Sequence, residues 1–108
     1  MTTTGRQSDY APETISRAEL DALAGPTVVE FGTNWCGHCR AAQPLIERAF
    51  PAGVRHVKVE DGRGRALGRT YGVTLWPTLV FLKDGREVAR LVRPTTPDEV
   101  AAAFGSLQ

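Results

Sequence analysis

The run Thr27-Val28-Val29-Glu30-Phe31 constrains the fold more than any other part of the chain. It is bounded by Gly25-Pro26 and Gly32, is too short for a helix, and is apolar on both faces except at Glu30. A strand with apolar side chains on both sides must be covered on both sides. That requirement places it at the centre of a sheet flanked by helical layers.

The remaining segments supply those layers. Ser16-Arg17-Ala18-Glu19 has capping-box spacing ahead of Leu20, Leu23 and Ala24, and Gly25-Pro26 stops the helix, so the pattern predicts a helix over 16–24. From Cys36 onward, Ala42, Leu45, Ile46, Ala49 and Phe50 recur at helical spacing up to Pro51. Pro44 falls inside this second helix, where it removes a backbone hydrogen bond and is expected to kink it. Residues 54–60 alternate as a strand, and a short helix is expected around 65–71. Two β-rich runs, 78–82 and 87–92, flank Lys83-Asp84-Gly85-Arg86, a strong hairpin signal. Thr96-Pro97-Asp98-Glu99 then opens a last helix with Val100, Ala103, Phe104 and Leu107 on one face. The expected architecture is α/β: a mixed central sheet of four or five strands with helices on both faces. A first strand before Ile15 has only a weak signal. Residues 1–12 read as a flexible tail, and 13–108 as one domain.

At 108 residues the chain has room for one core, so one domain carries the function. Thirteen basic residues against twelve acidic give a formal charge of +1, which excludes a whole-molecule attraction to nucleic acid or anionic membrane. Eleven of the basic residues are arginine, and Arg63, Arg65 and Arg69 lack the interleaved aromatics of a nucleic-acid surface, so they read as a solvated face. Gly62 to Gly68 has the wrong glycine spacing for a dinucleotide fingerprint. No apolar core of a signal peptide stands in the first twelve residues, and no run reaches the roughly 18 apolar residues of a membrane span. A cytoplasmic location is expected.

Cys36 and Cys39 carry the chemistry. A disulfide closing so short a loop stabilises by only about 2 kcal/mol in chain-entropy terms, so stapling does not explain the pair. At a strand-to-helix junction the first sulfur lies over the unpaired N–H groups of the helix, where the dipole favours the reactive thiolate. Cys36 is therefore the expected nucleophile. Cys39, one turn on, is placed to attack a mixed disulfide at Cys36 and release the product. His38 can set partial positive charge beside the thiolate, which stabilises the reduced form and makes the disulfide a better oxidant. Only His38 and His56 could complete a metal site, and His38 between the cysteines is badly placed to converge with both, so no metal and no cofactor is expected. Glu30 on a covered strand should have a pKa raised by desolvation, partly opposed by any lysine. His56 reads as an ordinary strand histidine.

Trp35-Cys36-Gly37-His38-Cys39 resembles the active-site motif of the thioredoxin family, with the Gly-His dipeptide typical of protein disulfide isomerase domains. Several positions outside the motif support the resemblance. Glu30 matches the family's buried strand acid, usually aspartate, which implies proton transfer at the resolving thiol. Pro44 matches the proline of the active-site helix, and Lys58 a strand lysine near the acid. Trp76-Pro77-Thr78 matches the loop whose proline is cis, so Trp35, Gly37, Trp76, Pro77 and Arg93 are the implied substrate-binding residues. The match extends from about Thr14 to Leu107 and implies the thioredoxin fold. It further implies protein disulfide or dithiol substrates, a monomer, and recycling by a thioredoxin reductase or other dithiol donor. Three positions depart from the family. Gly32 stands where thioredoxins usually carry a second tryptophan, Trp76 is bulkier than the usual residue before the proline, and Arg93-Pro94 replaces a glycine loop. These bear on partner choice and on coupling to a reductase. The competing reading, from another class, is a redox-sensing or partner-binding module with little general reductase activity.

Overall fold

The computed structural model describes residues 9–108. Eight elements follow in chain order: α1 (Arg17–Asp21), β1 (Pro26–Gly32), α2 (Gly37–Ala49), β2 (Arg55–Glu60), α3 (Ala66–Thr70), β3 (Thr78–Lys83), β4 (Arg86–Val92) and α4 (Pro97–Gly105). The four strands form one sheet in the order β2-β1-β3-β4, with β1 parallel to β2 and the other neighbours antiparallel. This is the thioredoxin fold, and β1 is one of its two central strands.

Both end helices are fixed by capping boxes, Ser16 with Glu19 and Thr96 with Glu99, in which each side chain bonds the other's backbone N–H. α1 stops at Asp21, three residues before the expected end, because Ala22 already closes the last turn and Gly25 has a positive φ of 82°. Asp84 and Gly85 both take left-handed φ values, 51° and 80°, as a two-residue hairpin turn requires. Among the described residues, the weakly signalled strand before Ile15 is one bridge, Ala11 beside Val59 on the outer edge of β2.

Two cores sandwich the sheet. Val28, Leu79 and Phe81 meet Ala42 and Ile46 of α2 and Val100, Ala103 and Phe104 of α4 on one face. Val29, Phe31, Val80 and Leu82 meet Leu20, Leu67 and Tyr71 on the other. The period-two alternation of β1 turns Glu30 to the same face as Val28, beneath α2. The parallel register sets His56 beside Val28 and Lys58 beside Glu30, so β2 sends both side chains to that face.

The N-terminal boundary lies earlier than the sequence pattern predicts. Residues 1–8 of the expected tail lie outside the described residues, but Tyr10 is 6% exposed and Ala11 exchanges backbone hydrogen bonds with Lys58 and Glu60. The segment from Tyr10 is therefore part of the domain. The physical reason is Gly32, whose missing side chain leaves the space that the Tyr10 ring fills.

Candidate active site

Cys36 is the N-cap of α2, with extended backbone angles, and its Sγ accepts the Cys39 N–H at 3.3 Å. A cap that would ordinarily be a serine or aspartate oxygen is here a sulfur. Both cysteines are unbonded to one another. Cys36 retains 8% exposure and Cys39 none. Burial pushes the Cys39 thiol up to about 12, with its hydrogen bond to Cys36 adding to the rise and bonds from the Thr33 backbone and Tyr10 opposing it. Cys39 therefore holds its proton in water-like neutral conditions, and losing it requires a base inside the fold.

Glu30 is that base. It is fully buried at 0% exposure and is surrounded by donors. His56 Nε2 lies 2.9 Å from its Oε1, Gln43 Nε2 donates to Oε2 at 2.9 Å, and the Tyr10 hydroxyl donates to the same oxygen. Burial alone would raise the carboxyl, but the bond and charge of His56, with the Tyr10 and Gln43 bonds, outweigh it and hold Glu30 below its ordinary value of 4.5. The expectation of a raised pKa is thus overturned, since desolvation is more than matched by donors that the sequence pattern did not assign to Glu30. Glu30 is a carboxylate at neutral pH and an acceptor.

Lys58 Nζ donates to Gln43 Oε1 at 2.8 Å and sits 4.5 Å above the Tyr10 ring. The same Gln43 amide donates to the Cys39 carbonyl at 2.8 Å, which ties the first turn of α2 to the buried cluster. His56 is 4% exposed, and its ring lies tilted at 37° to that of Phe50 with centroids 4.8 Å apart. Its signal was present in the alternation of β2, two residues before Lys58 on the same face. Gln43 was detectable as the residue four beyond Cys39. Tyr10 had no signal in its own neighbourhood, only the vacancy implied by Gly32.

The outer side is built from loops. Trp35 is 73% exposed and meets Trp76 edge-on, with centroids 5.8 Å apart and planes at 80°. Trp76 donates its indole N–H to Asp61 at 2.9 Å, and the Trp76–Pro77 peptide is cis. Arg93 has a left-handed φ of 50°, a conformation that costs a side-chain-bearing residue about 1 kcal/mol. It is held there by two bonds, its N–H to the Pro77 carbonyl at 2.9 Å and its Nε to the Trp76 carbonyl at 2.7 Å. The guanidinium therefore braces the proline loop. Exposed His38 and Gly37 lie at the start of α2, and His38 lines an open groove of about 450 Å³ with Ala41, Leu45, Arg93, Pro94 and Thr95. Pro44 lies within α2, one residue beyond Gln43. Among the described residues, no group of three or more His, Cys, Asp or Glu side chains is placed to hold a metal ion.

A dithiol seated on the first turn of a helix that leaves the middle of a mixed sheet, backed by a buried carboxylate, defines the class of small thiol–disulfide exchange domains. The chain belongs to the thioredoxin family, whose model matches residues 13–105. It is 39% identical over 83 residues to a thioredoxin of Chlamydia pneumoniae, a match covering 72% of this chain and 80% of that protein. The structure of thioredoxin 2 from Pseudomonas aeruginosa PAO1 in its reduced form is 58% identical, with a TM-score of 0.83 over 94% of this chain and 96% of that one. Protein disulfide-isomerase erp38 of Neurospora crassa is 42% identical over 67 residues, which are 56% of this chain and 18% of that longer protein.

Proposed function

We propose that this protein exchanges disulfides with other proteins through the Cys36/Cys39 couple, with Cys36 attacking and Cys39 resolving. The observation that carries the reading is the asymmetry of the pair. Cys36 caps the helix at the surface with a donor N–H at 3.3 Å, while Cys39 is fully buried on a hydrogen-bonded route to Glu30. Oriented N–H donors favour an anionic sulfur at Cys36, and an internal base is what a buried resolving thiol needs. Two electrons leave as the dithiol closes to a disulfide and enter as the disulfide is reopened, so no cofactor takes part.

The Gly37-His38 dipeptide points to a couple less reducing than one with proline at position 38. The groove beside His38, with Arg93 and Pro94 on its other side, supports binding of an extended segment of a substrate protein. We place the protein in the cytoplasm as a monomer, recycled by a thioredoxin reductase or another dithiol donor. Among the described residues no helix is long and apolar enough to cross a membrane. The test is reduction of insulin by dithiothreitol with catalytic amounts of protein, and acceleration is expected. Inertness with an intact fold would instead favour a partner-binding or redox-sensing module, a reading to which the bulky Trp35–Trp76 pair beside Cys36 lends support.

A further inference from the structure

Between the buried thiol and the buried carboxylate stands one side chain. Tyr10 donates its hydroxyl to Glu30 Oε2, and its ring packs beside the Cys39 sulfur. It reaches this place because Gly32 is open. A Cβ built on Gly32 would lie 2.6 Å from Cys39 Sγ and 2.7 Å from Tyr10 Cζ, so thiol and phenol ring share the volume above one glycine. Tyr10, Cys36 and Cys39 form a small cluster of their own, with Trp76 against it.

We propose that Tyr10 is the proton carrier between Cys39 and Glu30, a catalytic residue contributed by the segment ahead of α1. The proposal rests on the dithiol-exchange reading and names its second step. In the mixed disulfide, the Cys39 S–H proton passes to Tyr10 Oη as the Tyr10 O–H proton passes to Glu30. The Cys39 thiolate pair forms the Cys39–Cys36 bond, and the pair of the broken Cys36–substrate bond leaves on the substrate sulfur, which takes a proton from solvent. Tyr10 is neutral before and after. Burial first, then the neighbouring Glu30 charge and bond, hold its phenol well above the ordinary range, so it hands one proton on only as it receives another. The charged and titratable groups around this route are Glu30 from β1, His56 and Lys58 from β2, and Cys36 at the cap of α2. Gln43 adds a donor 3.4 Å from the hydroxyl.

The reduced protein mixed with Ellman's reagent separates the two steps. A first thionitrobenzoate is released when Cys36 attacks, and a second when Cys39 resolves the adduct. Tyr10→Phe keeps the ring that fills the space over Gly32 and removes only the hydroxyl. The first release should keep its rate, and the second should slow by about 100-fold, the lower end of what a positioned proton-transfer group contributes. In the wild type the second rate should be flat across neutral pH, whereas in Tyr10→Phe it should climb about tenfold per pH unit toward the Cys39 value of about 12, because solvent must then remove the proton. A merely structural role would slow the step equally at every pH. An unchanged second release, or equal slowing of both, overturns the proposal. A measurement without any variant checks it too: in heavy water the wild-type second release should slow more than the first, and equal effects count against the relay. If the wild type itself gives a single release, the dithiol reading fails instead.

Discussion

Cys36 and Cys39 are three residues apart and work in different media. Cys36 touches solvent and is surrounded by groups held on loops: the edge-on Trp35 and Trp76, the arginine-braced proline loop and the groove beside His38. Cys39 faces a closed cluster held on the neighbouring strands β1 and β2, on α2 and on the segment ahead of α1, in which Glu30, His56, Gln43, Lys58 and Tyr10 bond to one another. The outer side is therefore free to vary with its partners, whereas on the inner side each member satisfies another, and removing one leaves buried groups without partners. The same helix turn serves both.

The sharpest way to break this comparison is to remove each sulfur in turn. Cys36→Ser should abolish turnover, and Cys39→Ser should accumulate mixed disulfides at Cys36 that survive non-reducing electrophoresis. In the reduced wild type, iodoacetamide should label Cys36 alone near neutral pH, because Cys39 is buried with its thiol pushed up to about 12. First labelling at Cys39 would reverse the two roles.

Next in size is the acid. Glu30→Leu leaves His56, Tyr10 and Gln43 facing an apolar side chain, at about 1–3 kcal/mol for each orphaned group, so the melting temperature should fall by roughly 10 °C or more. Glu30→Gln keeps the shape, and it should fold with a smaller loss while resolving the mixed disulfide at least tenfold more slowly. A Glu30→Leu protein as stable as wild type would mean that the cluster is loosely made. The pH dependence has a definite sign. A carboxyl held below 4.5 in the fold adds stability that is fully present above that value and is lost as pH falls through its lowered folded value. Acid unfolding monitored by circular dichroism should accordingly be less steep in Glu30→Gln.

Smaller effects belong to the outer side. His38→Pro should make the couple more reducing, toward the value of about −270 mV for thioredoxin, and equilibration against glutathione measures it. A shift the other way removes the role given to His38. Trp76→Ile with Arg93→Gly should raise insulin reduction modestly while weakening capture of the partners trapped by Cys39→Ser. The fold should persist, because glycine accepts the φ of 50° that arginine holds under strain. No change in either quantity would make both residues surface variation.

The layout of strands and helices was legible because hydrophobic period, caps and turn residues are local signals. Thr96 with Glu99, and Asp84 with Gly85, sit where the sequence pattern placed them. The position of Cys36 at the helix start was legible for the same reason. The inner cluster was only half legible. Glu30 and Lys58 were picked out by resemblance, but which donor faces Glu30 depends on the register of β1 against β2 and on the side to which each alternation turns, and both are settled by the whole sheet. Tyr10 lies 20 residues from its partner and belongs to no regular element, so no periodicity could reveal it. The sign of the Glu30 shift failed with it, since the burial was foreseeable and the compensating donors were not.

The shared volume over Gly32 also ties two positions together in evolution. A larger residue at 32 is blocked while Tyr10 is present, because even one added carbon would press on the phenol and on Cys39. Losing the tyrosine first opens a hole beside the thiol and takes a hydrogen bond from Glu30. Either single step is disfavoured, so lineages are expected to keep or exchange the pair jointly. Across homologues, glycine at 32 should co-occur with an aromatic hydroxyl at 10 more often than either residue's own frequency implies.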